Sequence, residues 1–374
     1  MYNILLVTLT GFDSTAEIPF IFKSAGCKTV DVFCNKSSWL LSNKYYDNWI
    51  ESPIEHEAFK DQLIGLVEEK FDHYDWVVVL DDASVKLMNE SITDERIFKK
   101  ILPITKIENR EILSSKLGLS HICQKYEIVT PGYINYSDVE DITTAVQKLQ
   151  FPILLKEDYS FSGIGIQYCA SPDLLQECLE KVRVKTNLVL QEFIEGEDIG
   201  VEALFRDGEL ITYNCAEVLT YMYNKFSFTT RRLYYQSEEI ATLLKKLGKS
   251  IGLNGFASIQ YIYHPVRKVY YLIEVDARVN AWMPYSRFTG HSFAEGIKRI
   301  MSGDLRHVTR KDDEGKKIEI AIFDRDIRRC VKHKDFKGLF AWVFNYKGYW
   351  RFIPFYDMRF FKRIIGKLFK DFFS

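Results

Sequence analysis

Short apolar runs and helically spaced stretches alternate over the first hundred residues. Ile4-Leu5-Leu6-Val7-Thr8, Thr29–Phe33 and Trp76-Val77-Val78-Val79-Leu80 read as buried strands, with helices expected over Pro19–Ala25 and Ala58–Lys70. Apolar runs separated by helices form parallel sheets covered on both faces. Asp81-Asp82 fall just past the C-terminal end of a strand, where open α/β sheets bind ligands; plain loop acids read the same way. The first turn, Leu9-Thr10-Gly11-Phe12, lacks G-x-G-x-x-G spacing, so no dinucleotide site is expected there.

The pattern changes after Leu102-Pro103. Lys106–Leu117 has the spacing of an amphipathic helix, with Gly118 as its stop. A strand near Tyr133 precedes a helix opened by the capping box Ser137 and Glu140. Phe151–Lys156 and Ile166–Tyr168 read as strands around the small-residue loop Asp158–Gly165, and Ser171-Pro172 starts a helix. Leu188–Ile194 is a strand running into Glu195–Asp198. Asp207-Gly208 between Val201–Arg206 and Glu209–Tyr213 signals a hairpin. A helix runs from Ser237 to Gly252. Ala257–Tyr263 and Val269–Asp276 read as a hairpin around His264-Pro265 with its centre near residues 266–267, which places Gln260 roughly opposite Glu274. The expected organisation is an α/β domain over 1–102, then α+β lobes over 103–185 and 186–305, then an aromatic and basic extension over 306–374.

At 374 residues the chain exceeds one ordinary core, which fits several domains. A formal charge of -1 gives no overall attraction for nucleic acid. The seven cysteines are scattered without a C-x-x-C pair, which argues against a disulfide or zinc framework and for a reducing compartment. The N-terminus lacks a basic region and cleavage site, and no apolar run approaches a membrane span, so a cytoplasmic protein is expected. Within Met358–Ser374 an apolar series from Phe360 to Phe372 recurs at helical spacing, interleaved with Arg359, Lys362, Arg363, Lys367 and Lys370. Such a basic amphipathic helix has two readings: peripheral contact with the inner face of the membrane, or packing on the body or on a second subunit as a homodimer.

The chemistry gathers on Leu272–Asn280. Side chains alternate along a strand, so Glu274, Asp276, Arg278 and Asn280 share one face. Two carboxylates with the neutral oxygen of Gln260 suit a hard divalent cation, and Arg278 is placed to meet a phosphoryl group. The glycines after Lys156 let backbone N–H groups approach anionic oxygens, without the spacing of a Walker loop. Gln191–Ile194 offers an extended backbone for a purine edge, with Asp198 for ribose hydroxyls. Each piece alone also reads as an ordinary hairpin, strand or solvated face. Arg231-Arg232 is a candidate clamp for an acceptor carboxylate, an exposed loop being the alternative.

In this order and spacing, Pro152–Lys156 with Ser162-Gly163-Ile164-Gly165, then Gln191–Asp198, then Ile273–Arg278, resemble the ATP-grasp superfamily over about residues 100–305. The resemblance implies a Rossmann-like domain before a two-lobed fold that holds ATP. It implies Lys156, the loop of Ser162, Gly163 and Gly165, and Lys106 on the phosphates. Gln191 and the backbones of Glu192 and Ile194 would meet adenine, with Asp198 on ribose. Gln260, Glu274 and Asp276 would hold Mg2+, with Mn2+ as the alternative ion, and Arg278 would steady the transferred phosphoryl group. Gln260 stands where an acid is frequent and Asp276 where asparagine is frequent, so the ligand charge is kept. The expected reaction activates a carboxylate as an acyl phosphate for attack by an amine, with Arg231, Arg232 and Asn280 on the acceptor. The alternatives are a kinase or acid–thiol ligase on the same fold, or a non-catalytic ATP-binding association module.

Overall fold

The computed structural model describes residues 2–136, 147–159, 165–182, 188–307 and 315–373. The expected capping box at Ser137 and Glu140, and Ser162 and Gly163 of the glycine loop, lie outside the described residues.

The chain opens with β1 (Asn3–Val7), α1 (Ile18–Ser24), β2 (Thr29–Cys34), β3 (Trp49–Glu51), α2 (His56–Glu69) and β4 (Trp76–Val79). Its four strands form a parallel sheet in the order β3-β2-β1-β4. Ile4 pairs with Val30 on one side and Trp76 on the other, and Leu5 and Leu6 are fully buried, as strands covered on both faces must be. α3 (Asp82–Ser91) and α4 (Glu95–Ile101) follow. Asp81 caps α3, accepting from the Ser84 N–H at 2.9 Å and from the Thr8 hydroxyl at 2.7 Å. The buried half of the Asp81-Asp82 pair therefore serves the fold, and Asp82 is left for the cleft.

Lys106–Leu117 is not one helix. A 3-10 stretch covers Ile107–Leu113, and α5 (Lys116–Lys125) starts afresh at Ser115, whose hydroxyl accepts from the Gly118 N–H at 2.7 Å. Gly118 thus sits in the first turn of α5 rather than behind an earlier helix. A Cβ there would lie 2.5 Å from the Glu111 carbonyl oxygen, so the glycine allows a close approach.

Two antiparallel sheets come next. β5 (Tyr133–Asn135), β6 (Ile153–Glu157), β7 (Gln167–Cys169), α6 (Pro172–Lys181) and β8 (Leu188–Glu192) make a small lobe with strand order β5-β8-β6-β7. β9 (Glu197–Arg206), β10 (Glu209–Tyr221), β11 (Thr229–Tyr235), α7 (Glu238–Ile251), β12 (Gly255–His264), β13 (Val269–Asp276), α8 (Phe293–Met301) and β14 (Ile318–Ala321) make the larger one, ordered β13-β12-β9-β10-β11-β14. Asp207 and Gly208 both take positive φ, 51° and 82°, the geometry a two-residue hairpin turn demands. Gly252, at φ 82°, ends α7 where expected. Arg231-Arg232 lie inside β11, not in an exposed loop.

The parallel sheet and the larger antiparallel sheet share a core: Leu5, Val7 and Val79 join one apolar cluster with Leu244, Val201 and Leu272. The small lobe has its own, built from Ile153, Leu155, Leu175, Leu188 and Leu190. A third cluster is C-terminal. There β14 pairs with β11, and α9 (Phe323–Lys332), α10 (Phe336–Phe344) and α11 (Met358–Phe373) pack behind it. Phe360, Ile364 and Leu368 bury one side of α11 in the cluster of Phe323, Trp342 and Tyr349. Of the two readings of this basic helix, packing on the body is the one seen, and its apolar side is not free for a membrane. Lys367 pairs with Asp13, and Arg363 donates to the carbonyls of Ser37 and Ser38 at 2.8 and 2.9 Å, tying α11 to the loops of the parallel sheet. No described helix is long and apolar enough to cross a membrane.

Candidate active site

A cleft of about 360 Å3 opens between the two antiparallel sheets. Leu154 of β6 pairs with Gln191 of β8, so Lys156, two residues on, lies on the same face as Gln191. The Lys156 ammonium donates to Gln191 Oε1 at 2.6 Å, and both side chains are buried. Burial pushes the lysine down to about 8, although Glu274 pulls the other way. A buried lysine with one neutral partner is a waiting place for an anion.

The segment after β8 is fixed from its outer side. The Glu192 carboxylate accepts from the N–H groups of Gly132 and Gln150 at 3.2 and 3.0 Å, and the Glu192 N–H donates to the Gly132 carbonyl at 2.8 Å. Among the described residues no hydrogen bond takes up the Ile194 N–H, and Ile194 lines the cleft. Asp198, at the start of β9, accepts from the Tyr221 hydroxyl.

The opposite wall is β12 and β13. Gln260 pairs with Glu274, as the hairpin centre suggested, after a register shift between Gln260 and Tyr261, and Ser258 pairs with Asp276. The strand stops at Asp276, and the Arg278 N–H turns back to the Asp276 carbonyl at 2.7 Å. The guanidinium still reaches the same face. It donates to Asp276 Oδ2 at 3.0 Å and to Asp82 from the head of α3. Burial, then the neighbouring Glu274 and Asp82, hold Asp276 up to about 8 against Arg278 and Lys116. Desolvation opposes the charge on Arg278, but Asp276 and Asp82 raise it above the usual arginine range. Acids crowded and half-buried in this way suit a cation. The donors are all oxygen, which suits Mg2+ held by two carboxylates with an amide. Among the described residues no group of three or more His, Cys, Asp or Glu gathers as a metal site.

Two residues of this cleft were not singled out as site residues. Asp82 arrives from the parallel sheet. Lys116, first residue of α5, lines the cleft and donates to the Asp158 carbonyl at 3.2 Å; burial lowers it, while Glu274, Asp158 and Asp276 draw it up. The signal for Lys116 was the N-cap Ser115 just before it.

Two expected site residues lie elsewhere. The Lys106 ammonium donates to the carbonyls of Lys249 and Ser250 at 2.7 and 3.2 Å, capping the C-terminal end of α7 outside the cleft. Arg231 points to the far side of β11, where Asp326, fully buried, takes its Nε with both oxygens at 2.9 Å. Arg232, on the opposite side by strand alternation, does line the cleft. It donates to Glu202 at 2.6 Å and lies over the Trp282 ring. Asn280 donates to the same Glu202 at 3.1 Å and to Ser258 at 2.9 Å. Glu202, buried and unforeseen, thus holds both expected acceptor-side residues. A Cβ at Gly200 would come 2.6 Å from Arg232 Nη1, so glycine makes the space for that side chain.

A parallel α/β unit ahead of two antiparallel lobes, with a lysine–glutamine pair on one wall and a Gln–Glu–Asp–Arg wall opposite, is the arrangement of an ATP-grasp fold. Residues 113–281 match the family described as ATP-grasp domain, and that stretch belongs to the ATP-grasp superfamily. Its relatives include the mitochondrial ammonia-type carbamoyl-phosphate synthase of Aquarana catesbeiana, 25% identical over 210 residues. That match takes in 52% of this chain and only 13% of the synthase, so the chain spans a small part of that protein. D-alanine–D-alanine ligase of Carboxydothermus hydrogenoformans is 23% identical over 231 residues, 57% of this chain and 70% of that one. Among solved structures, the ADP complex of an N5-carboxyaminoimidazole ribonucleotide synthetase superposes with a TM-score of 0.64 at 13% identity, covering 89% of this chain and 85% of that one. That last likeness is one of fold.

Proposed function

We propose that the chain is an ATP-dependent ligase that phosphorylates a substrate carboxylate and passes the acyl group to an amine. The observation that carries it is one cleft holding the Lys156–Gln191 pair on one wall and Glu274, Asp276 and Arg278 on the other. ATP fits with its phosphates toward Lys156 and Lys116, adenine against the Ile194 N–H and Gln191, and ribose at Asp198. Glu274, Asp276 and Gln260 would hold Mg2+, which when bound would shield the phosphate oxygens. The carboxylate oxygen attacks the γ-phosphorus and ADP leaves; the amine then attacks the acyl carbon, and phosphate leaves with the C–O bond electrons and takes up the proton that the nitrogen loses. Arg278 balances charge on the phosphoryl group in flight, and Arg232 and Asn280 orient the acceptor. Positioning in a water-poor cleft supplies most of the acceleration.

The test is an ADP-release screen of carboxylate and amine pairs, with mass analysis of the product. An amide product, lost together with ADP release in Arg278→Ala, is the expected result. A stable phosphate ester would make the chain a kinase, a thioester would make it an acid–thiol ligase, and nucleotide binding with no turnover across the panel would make it an association module.

A further inference from the structure

The C-terminal segment carries a surface that the reaction does not use. Along α10, Phe336, Phe340, Val343 and Phe344 are 64, 54, 62 and 68% exposed. Their spacing is one turn, then one turn, then its neighbour, so they form a single stripe. Phe340 and Phe344 stack on each other at 5.7 Å. The opposite side of the helix, with Ala341 and Trp342, is buried. Two more exposed rings extend the stripe through direct contacts: the Tyr346 hydroxyl donates to the Lys337 carbonyl at 3.2 Å, and the Trp350 indole to the Trp342 carbonyl at 2.6 Å. None of these residues lines the cleft. A helix apolar on both sides is ordinarily buried on both, and a run of exposed rings on one element marks a contact surface.

The charge around it names the partner. Residues 332–351, α10 and its flanks, hold five Lys and Arg against the single acid Asp335, in a chain whose formal charge is -1. Lys334 and Lys337 are exposed beside the stripe. Asp335, the acid nearest to it, is engaged by Arg329 at 2.7 Å and caps the Gly338 N–H at 2.9 Å. Aromatic rings bordered by lysines suit the boundary between acyl chains and anionic headgroups. We propose that α10 and the turn after it are a peripheral docking face for an anionic lipid bilayer, with the rings entering the headgroup layer and the lysines meeting lipid phosphates. This face replaces α11, whose apolar side is already covered, and it stands whatever reaction the cleft performs.

Flotation of the full chain with lipid vesicles tests it. The protein should float with phosphatidylcholine vesicles containing about 30% phosphatidylglycerol and stay behind with phosphatidylcholine alone, and binding should fall as salt rises. Phe340→Ser with Phe344→Ser, and separately Lys334→Glu with Lys337→Glu, should each weaken binding about tenfold or more. Ile54→Ser, an exposed apolar change on the parallel-sheet side, should leave it unchanged. The stripe is exposed, so these variants should melt as the wild type does; the lipid and salt comparison on the wild type decides independently of them. Equal flotation with both vesicle types, or none with either, overturns the proposal. A lipid-free dimer that the Phe340→Ser, Phe344→Ser variant converts to monomer would give the face to a second copy of the chain. Binding to a single-stranded oligonucleotide that outcompetes the vesicles would give it to nucleic acid.

Discussion

Lys156 and Asp276 line opposite walls of the cleft with opposite charges, and burial drives both toward neutrality. Lys156 is pushed down to about 8 and Asp276 up to about 8, each chiefly by desolvation. An anion arriving beside Lys156 reverses the first effect, so binding takes up a proton wherever the free lysine has lost one. The sign follows: affinity for the anion is full below about 8 and falls as pH rises through it. Metal-free ADP, followed by calorimetry from about pH 7 to about pH 9.5, should bind more weakly at the upper end. Lys156→Met should flatten that profile and weaken binding about tenfold or more at the lower end. A profile identical in both proteins would remove Lys156 from the phosphate site.

Elements decide which arginine or lysine reaches the cleft. The Lys106 ammonium on the carbonyls of Lys249 and Ser250 supports the end of α7, so Lys106→Ala should cost about 0.5–1 kcal/mol in urea unfolding and leave ADP affinity untouched. Asp326 holds α9 to β11 by accepting from Arg231, Arg329, Thr230 and Trp342. Asp326→Ala strands the buried Arg231 guanidinium, leaves Arg329 with Asp335 alone, and should cost about 3–5 kcal/mol by the same measurement. These two cases also mark how far the sequence could be read. β12 and β13 were legible in outline because alternation puts Glu274 and Asp276 on one face and the hairpin sets Gln260 roughly opposite Glu274, whereas the register shift between Gln260 and Tyr261 that completes the pairing leaves no mark in the sequence. The Asp207-Gly208 hairpin and the stop at Gly252 were legible because only a few residue types take those backbone angles. β11 was not, since two arginines in mid-strand read as surface until Asp326 and Glu202, remote in sequence, neutralise them. Lys116 was missed because helical spacing runs on across the break at Ser114, and only the capping contact of Ser115 shows that a new helix begins.

At the scale of the molecule, the C-terminal segment straps the parallel sheet to the larger lobe. Asp13 is the buckle, paired with Arg325 of α9 and Lys367 of α11. Burial alone would raise its carboxyl, but the charges of Arg325 and Lys367 outweigh it and hold the group down to about 2, below an ordinary value of 3.8. A carboxyl depressed in the folded state stabilises it above its unfolded value and loses that contribution as pH falls through the folded one. Thermal unfolding should therefore weaken between about pH 4 and about pH 2 in the wild type, and less steeply in Asp13→Asn. Equal slopes would mean that the strap closes without this acid.

The separate core of the small lobe has a consequence of its own. Among the described residues, Ile153, Leu155, Leu175 and Leu190 pack on one another and share no apolar cluster with the two sheets that are fused by Leu5, Leu244 and Leu272. A lobe with a core of its own is expected to open at a lower cost than that of melting the protein. Amide exchange should show it as two tiers, with β6 and β8 exchanging ahead of β9 and β12, and with nucleotide in the cleft drawing the tiers together. On the proposed function, the energy of gripping a nucleotide in the cleft would be what welds lobe and body into one unit.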